Sequence, residues 1–392
     1  MRMLSRVLSA LLLGLASCGG MLTPVPQAVM HQGLWITRFD YQSEAEVRLA
    51  LRRAAEAGFD TVFFQIRGNG TLMVPSRIEP WAREFGHRDP GFDALAVAID
   101  EGHRRGVRVH AWLNMLPGWR GEQAPPARLA QLYTEHQDWF LVDQFGEGEP
   151  LDGGYLSLNP CLPQPREHLV RLCEDIVRRY DVAGLHLDYL RFPEPRFVRK
   201  GDMLVQRDYP RDKASLELYA AATGRHPDED VERWAEWKRQ QLSELVRRIR
   251  VRMNETREGL LLTAAVFAPP QRARDQVLQD WPRWLRAAWL DAVIPMVFTS
   301  DDAEFSAALN SCLNAAQPRS VFMGIGVYQQ PDPEQSLRQM RLASEGGAKG
   351  FVLYGYASFF GSARPSSPAE RPSLRQQRRE RILPELRSQR RR

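Results

Sequence analysis

Apolar and polar residues alternate along eight short stretches of this chain, and amphipathic helical patterns fill most of the intervals between them. The strand-like runs stand at 33–38, 61–68, 108–114, 184–190, 260–267, 291–298, 320–328 and 350–356. Helical spacing runs through 43–57, 92–105, 163–180, 232–254, 279–289, 302–315 and 333–345, and a last such pattern covers 370–388. A period of two places alternate side chains on opposite faces of a strand, whereas positions three and four apart share a helix face. Eight strands, each followed by a helix, predict the α/β class and a (β/α)₈ barrel. A doubly wound open sheet is the rival. It calls for a Gly-rich turn after its first strand, and Arg38-Phe39-Asp40-Tyr41 stands there instead.

Three connections are long: 69–91, 115–160 and 191–231. Each follows a strand, so each is expected on the C-terminal face of the barrel, where barrel active sites are built. The strands leading into them carry an unusual polar set. Phe63, Gln65 and Arg67 share one side of the second strand, His110, Trp112 and Asn114 one side of the third, and His186 and Asp188 one side of the fourth. The opposite sides are apolar and suit a helix layer. Barrel interiors are normally filled with branched apolar residues, so this set predicts a polar funnel toward the mouth. The competing reading is a closed structural network in which Asp188 pairs with Arg67 and the histidines and amides satisfy one another. Trp81, Trp119, Tyr189, Tyr328, Tyr354 and Tyr356 add aromatic surface, which suits the apolar face of a pyranose.

Composition changes the picture little: 43% of residues are hydrophobic and 26% charged, as in an ordinary folded protein. The net charge of +5 misleads. Residues 371–392 hold nine Arg and two Glu, a net of +7, which leaves −2 for the rest. The body therefore gives no argument for nucleic acid. The basic tail reads as a solvated helix end, with contact to anionic lipid or polymer as the alternative. Arg2 and Arg6 precede the apolar stretch Leu8–Leu15, and Leu15-Ala16-Ser17-Cys18 resembles the bacterial lipobox. The chain is accordingly expected to be an exported, membrane-anchored lipoprotein of the cell envelope, lipidated at Cys18. A plain secretory signal with a chance Cys is the competing reading. The expected organisation is a signal at 1–17, a tether at 18–32, the barrel at 33–362, and a terminal helix with its basic tail at 363–392. Cys161, Cys173 and Cys312 lack metal-site spacing and read as small buried residues, with a Cys161–Cys173 disulfide as the alternative.

Several blocks together resemble the bacterial glycosyl-hydrolase-like family 10, exported proteins with a (β/α)₈ barrel. They are Gly33-Leu34-Trp35, Phe63-Phe64-Gln65-Ile66-Arg67, Pro75-Ser76 with Pro80-Trp81, His103-Arg104-Arg105-Gly106, His110-Ala111-Trp112-Leu113-Asn114, Leu158-Asn159-Pro160, Arg179-Tyr180-Asp181 and Gly184-Leu185-His186-Leu187-Asp188-Tyr189. The resemblance implies glycoside hydrolysis of a bacterial glycan containing N-acetylhexosamine, peptidoglycan or exopolysaccharide, without a cofactor. Two departures stand out. Many relatives carry two consecutive Asp in the strand-four motif, where this chain has only Asp188, preceded by Leu187. Relatives often read Asn-Pro-Tyr after strand three, where Asn114-Met115-Leu116 stands here.

Most glycosidases use two carboxylates. Asp188 is the expected first and Asp301, after Pro295–Thr299, the expected second, with Asp302, Glu194, Asp275 and Asp40 as further candidates. Assistance by the substrate's own acetamido group is the alternative to a second carboxylate. Gln65, Arg67, Asn69, His110, Trp112, Asn114, His186, Tyr189, Tyr328 and Tyr354 are the expected substrate contacts. Two other function classes stay open: a metal-dependent hydrolase or deacetylase using His110, His186 and Asp188, and a non-catalytic, membrane-anchored glycan-binding barrel.

Overall fold

A computed structural model of the chain describes residues 32–364 and 371–390. The expected signal, Cys18 and nearly all of the tether lie outside the described residues. Eight parallel strands close into a barrel. They are β1 (Gln32–Ile36), β2 (Thr61–Arg67), β3 (Arg108–Asn114), β4 (Gly184–Asp188), β5 (Leu261–Phe267), β6 (Ala292–Val297), β7 (Ser320–Gly326) and β8 (Gly350–Tyr354). Each pairs with its sequence neighbours, and β8 closes on β1. The outer layer includes α1 (Glu44–Ala57), α2 (Ala94–Arg105), α3 (Pro163–Arg179), α4 (Val231–Thr256), α5 (Trp281–Arg286), α6 (Asp302–Ala316) and α7 (Pro333–Glu345). Local signals set their ends. Ser43 and Glu46 form a capping box at the start of α1, and Gly58 ends it in the left-handed conformation.

Alternation sorts the strand residues as expected. Leu34, Ile36, Val62, Phe64, Val109, Ala111, Leu185 and Leu187 join the core under the helices. Trp35, Phe63, Trp112, Ala292, Ile294, Phe322 and Val352 form a separate cluster inside the barrel. Gly324 makes room for it, since a Cβ there would lie 3.0 Å from the Trp35 ring and 2.8 Å from the Pro295 carbonyl.

The long connections carry small elements of their own. A two-stranded ribbon joins Pro117–Arg120 to Tyr155–Ser157, and a hairpin is formed by Phe197–Lys200 and Met203–Gln206. All three described cysteines are buried and free, so no Cys161–Cys173 disulfide forms.

The terminal helix α8 (Pro372–Arg390) packs against α1 and α7. Several of its described arginines bond to backbone carbonyls of the barrel. Arg378 is fully buried and donates to the carbonyls of Ser358 and Gln330. Arg387 donates to the Glu56 carbonyl, and Arg390 to those of Ala55, Phe59 and Gly106. A helix leaves its last carbonyls unpaired and its C-terminus partially negative, so Arg387 and Arg390 complete the end of α1.

Strand β4 begins at Gly184, where an added Cβ would lie 2.8 Å from His110 Nδ1 and collide with the Leu261 carbonyl. Gly184→Ala is expected to lower stability by about 1–3 kcal/mol through overpacking. Chemical denaturation of the full chain measures this, and an unchanged midpoint would contradict the packing.

Candidate active site

The inward polar residues divide into a floor and a mouth. His110 pairs in register with Gly184, Trp112 with His186, and Asn114 with Asp188, so each step along β3 climbs one layer. His186 is wholly buried. Its Nε2 accepts from the Trp35 indole at 3.1 Å, and its Nδ1 lies 3.0 Å from the Thr263 hydroxyl. An indole N–H only donates, which puts the His186 proton on Nδ1, where it points at Thr263. Burial, with His110 adding to it, holds this imidazole well below the usual histidine range. Burial likewise lowers His110 to about 3, and its Nδ1 has no hydrogen-bond partner among the described residues. Phe63 packs against both rings, with centroids at 5.3 Å from His110 and 4.3 Å from His186. The two histidines therefore sit in the floor, packed on Phe63 below the layer of Asp188. The metal set His110, His186 and Asp188 is not assembled, because Trp35 and Thr263 engage both His186 nitrogens.

Asp188 stands one layer above, at the C-terminal end of β4. Its Oδ1 accepts from the Tyr189 N–H at 2.6 Å and faces Arg191 Nη1 at 3.6 Å. Burial pushes its carboxyl above the ordinary range, while Arg191, the Tyr189 N–H and the Trp112 indole pull the other way. The indole N–H of Trp112 faces the carboxyl without closing a full hydrogen bond. Tyr189 adopts a left-handed backbone, φ 51°, strain of the kind that persists when the surroundings over-determine it. This turn brings the Tyr189 N–H back onto Asp188 and stacks its ring edgewise on Tyr155 at 4.9 Å. Arg191 lies between two rings, 4.1 Å from the Tyr189 centroid and 4.6 Å from that of Phe267. Leu187 is fully buried among the helices, so a second carboxylate at that position would not reach the mouth.

Gln65 and Asn114 complete the polar wall. Gln65 accepts from the Arg38 backbone N–H and donates to Asn114 Oδ1, both at 3.1 Å. The aromatic side is built from Trp35, Tyr354, Phe298 and Tyr328, whose neighbouring centroids lie 5.5–6.3 Å apart. Tyr328 is 44% exposed and forms the rim. Asn69 is buried beside the mouth and lines a groove described below. Trp81 packs on Phe85, and Tyr356 accepts from Arg53 and packs on Phe360.

Two expected site residues are placed elsewhere. Arg67 does not face Asp188. The β2–β3 register slips between Gln65 and Arg67, so Arg67 pairs with the outward Leu113. A bulge of this kind re-aims the side chain. The guanidinium makes a bidentate pair with buried Glu79 and donates to the carbonyls of Asn114, Met115 and Pro117. Burial alone pushes Glu79 up, but Arg67 and His168 hold it down to about 2. Asp301 is the exposed N-cap of α6, its carboxylate accepting from Ala303 N at 2.7 Å and Glu304 N at 3.1 Å. Its spacing to Glu304 is a helix-start signal, and capping accounts for its position after the strand.

Among the other candidates, Asp302 is paired with Arg338, Asp275 with Arg274, and Glu194 is exposed. Asp40 differs. It is buried after β1, and its Oδ2 accepts from Thr37 N at 2.7 Å and the Thr37 hydroxyl at 2.8 Å. Its Oδ1 has no hydrogen-bond partner among the described residues. Burial raises its carboxyl to about 6 against those bonds. Tyr354 lies within electrostatic reach of both Asp40 and Asp188.

Two residues escaped the sequence reading. Arg191 was legible as a cation three residues after Asp188. Glu149 had no signal, being one acid in a long charged loop. It is buried, accepts from Ser157 N, and is raised by burial to about 7. It lines a cavity of about 160 Å³ shared with Tyr155, Tyr189, Arg191 and Glu194.

The family model for glycosyl hydrolase-like 10 matches residues 31–336. The chain belongs to this family. It is a glycosidase. Glycosyl hydrolase DigH of Escherichia coli (strain K12) is 24% identical, the alignment covering 84% of each chain. Glycosyl hydrolase YngK of Bacillus subtilis (strain 168) is 23% identical over 73% of this chain and 57% of its own. Among solved structures, an α-L-fucosidase isoenzyme 2 from Paenibacillus thiaminolyticus superposes with a TM-score of 0.61 at 14% identity, covering 91% of this chain and 49% of that one. The β-amylase catalytic domain of Paenibacillus polymyxa gives 0.60 at 9% identity, over 91% and 98%. These likenesses establish the fold.

Glu149 favours its protonated form in the folded state, so the folded chain binds more protons than the unfolded one between pH 4.5 and about 7. The linked stability is present below pH 4.5 and is lost as pH rises through that window. Glu149→Gln is expected to remove about 1–2 kcal/mol of this decline. Urea midpoints of wild type and variant between pH 4.5 and 7.5 measure it, and parallel profiles would contradict the assignment.

Proposed function

We propose that this glycosidase cleaves a bacterial envelope glycan containing N-acetylhexosamine, either peptidoglycan or exopolysaccharide, and that it works outside the cytoplasm, tethered through a lipid on Cys18. The observation that carries the reading is Asp188, a buried carboxyl with a raised pKa at the foot of an aromatic-rimmed barrel mouth. Asp188 delivers the proton to the departing glycosidic oxygen. A buried carboxyl whose neutral form is favoured is suited to that work. Asp40, raised to about 6 and so mainly ionised at neutral pH, faces the positive charge that develops on the sugar ring. Tyr354 links the two electrostatically, and with Tyr328 it offers a face for the apolar side of the pyranose. Gln65 and Asn114, tied to each other, offer fixed amide groups for hydroxyls or an acetamido substituent.

Asp188→Asn is expected to cut turnover by about 10²–10⁴-fold while the thermal midpoint stays near that of the wild type. Mass spectrometry of products released from purified peptidoglycan and from a hexosamine exopolysaccharide decides this, and retained cleavage by a folded variant would sink the assignment. For the anchor, Cys18→Ala is expected to move the protein from the membrane fraction to the soluble envelope fraction and to abolish labelling by a radioactive fatty acid. Persistent labelling overturns that part alone.

A further inference from the structure

Beside the mouth, the loops after β1, β2 and β3 enclose a groove of about 870 Å³. Its charged lining is lopsided. Arg38, Arg83, Arg120 and Arg364 face it, against the carboxylates of Glu84 and Glu122. Arg38 and Glu84 neutralise each other at 2.8 Å. Arg83, Arg120 and Arg364 make no ion pair among the described residues, although most arginines of the barrel body are paired. The chain outside its last 22 residues carries a net −2, so this positive groove is a local feature and not a reflection of bulk charge.

Tyr155 links the groove to the Asp188 mouth. Arg120 lies over the Tyr155 ring at 5.3 Å while its Nε donates to the Gly153 carbonyl. Arg38 reaches the Tyr155 hydroxyl at 3.3 Å. Tyr155 stacks on Tyr189, the residue after Asp188. Buried Trp119 forms part of the wall, its indole held by the Gln123 carbonyl at 2.9 Å. A glycan strand leaving the mouth over Tyr155 thus runs onto a surface of unneutralised guanidiniums. Guanidinium is a planar fork that pairs bidentately with carboxylate and with phosphate or sulfate oxygens.

We propose that this groove is a distal binding arm for the substrate, and that it selects a glycan bearing anionic substituents along its length. The proposal rests on the assignment of a glycan substrate to the Asp188 mouth and adds the sign of the substrate's charge. Carboxylates and sulfate esters share the required chemistry, and the polymer arms of the test separate them.

The test is affinity electrophoresis of the full chain and of an R83Q/R120Q/R364Q variant whose folding is checked by circular dichroism melting. The gels contain a neutral N-acetylglucosamine polymer, an alternating N-acetylhexosamine–uronate polymer, or a sulfated form of the latter. The wild type is expected to be retained at least about tenfold more strongly by one of the anionic polymers than by the neutral one, with the difference collapsing at high salt. The triple variant is expected to fall to the neutral level. Equal retention by neutral and anionic polymers, undiminished retention of the folded variant, or tighter retention by a single-stranded oligonucleotide overturns the proposal. Because the readout is binding, a chain that grips acidic glycan here but cuts none removes the substrate reading and leaves the groove. A chain that cuts neutral hexosamine glycan with no anionic preference does the reverse.

Discussion

The architecture around the mouth hangs on one buried ion pair. Arg67 and Glu79 are both shielded from solvent, and an isolated charge at either position would be costly. The cost is met by saturation: Glu79 takes the guanidinium fork and His168 of α3, and Arg67 reaches three carbonyls at the end of β3 and beyond. One contact set therefore joins the loop after β2, the loop after β3 and the helix layer. Gln65, Asn114 and the Tyr155 ribbon take their places from backbone that this cluster fixes. Removing one partner leaves the other charge stranded, so the rim and its foundation fail together.

Much of this was legible in the sequence because alternation is a strict rule. It separated Leu185 and Leu187 from His186 and Asp188, gave the eight strands and their helices, and put the long loops on one face. It could not separate floor from mouth, since period two is blind to depth along the barrel axis. His186 looked like a site residue until its indole and hydroxyl partners, from strands distant in sequence, were in view. The rule also fails wherever the register slips, and one extra residue was enough to turn Arg67 away from Asp188. Asp301 shows another limit. A capping carboxylate and a catalytic one occupy the same position after a strand, and alternation does not tell them apart.

Family membership and geometry contribute different things. The family match defines the class of reaction, and distant barrels of like shape establish the fold. Neither selects the carboxylates. The proposal of Asp188 and Asp40 rests on burial and hydrogen-bond supply: Asp188 has one oxygen held and a cation at 3.6 Å, Asp40 has one oxygen pinned by a threonine and the other unmet, and buried Glu149 is the further acid that burial raises.

The terminal helix has a consequence for how the barrel is held in space. Arg387 and Arg390 clasp the end of α1 at the face from which β1 starts, so the first described residue and the last turns of the chain gather at one pole. Asp188 lies at the other. The chain thus enters the barrel, at Gln32, on the pole opposite Asp188.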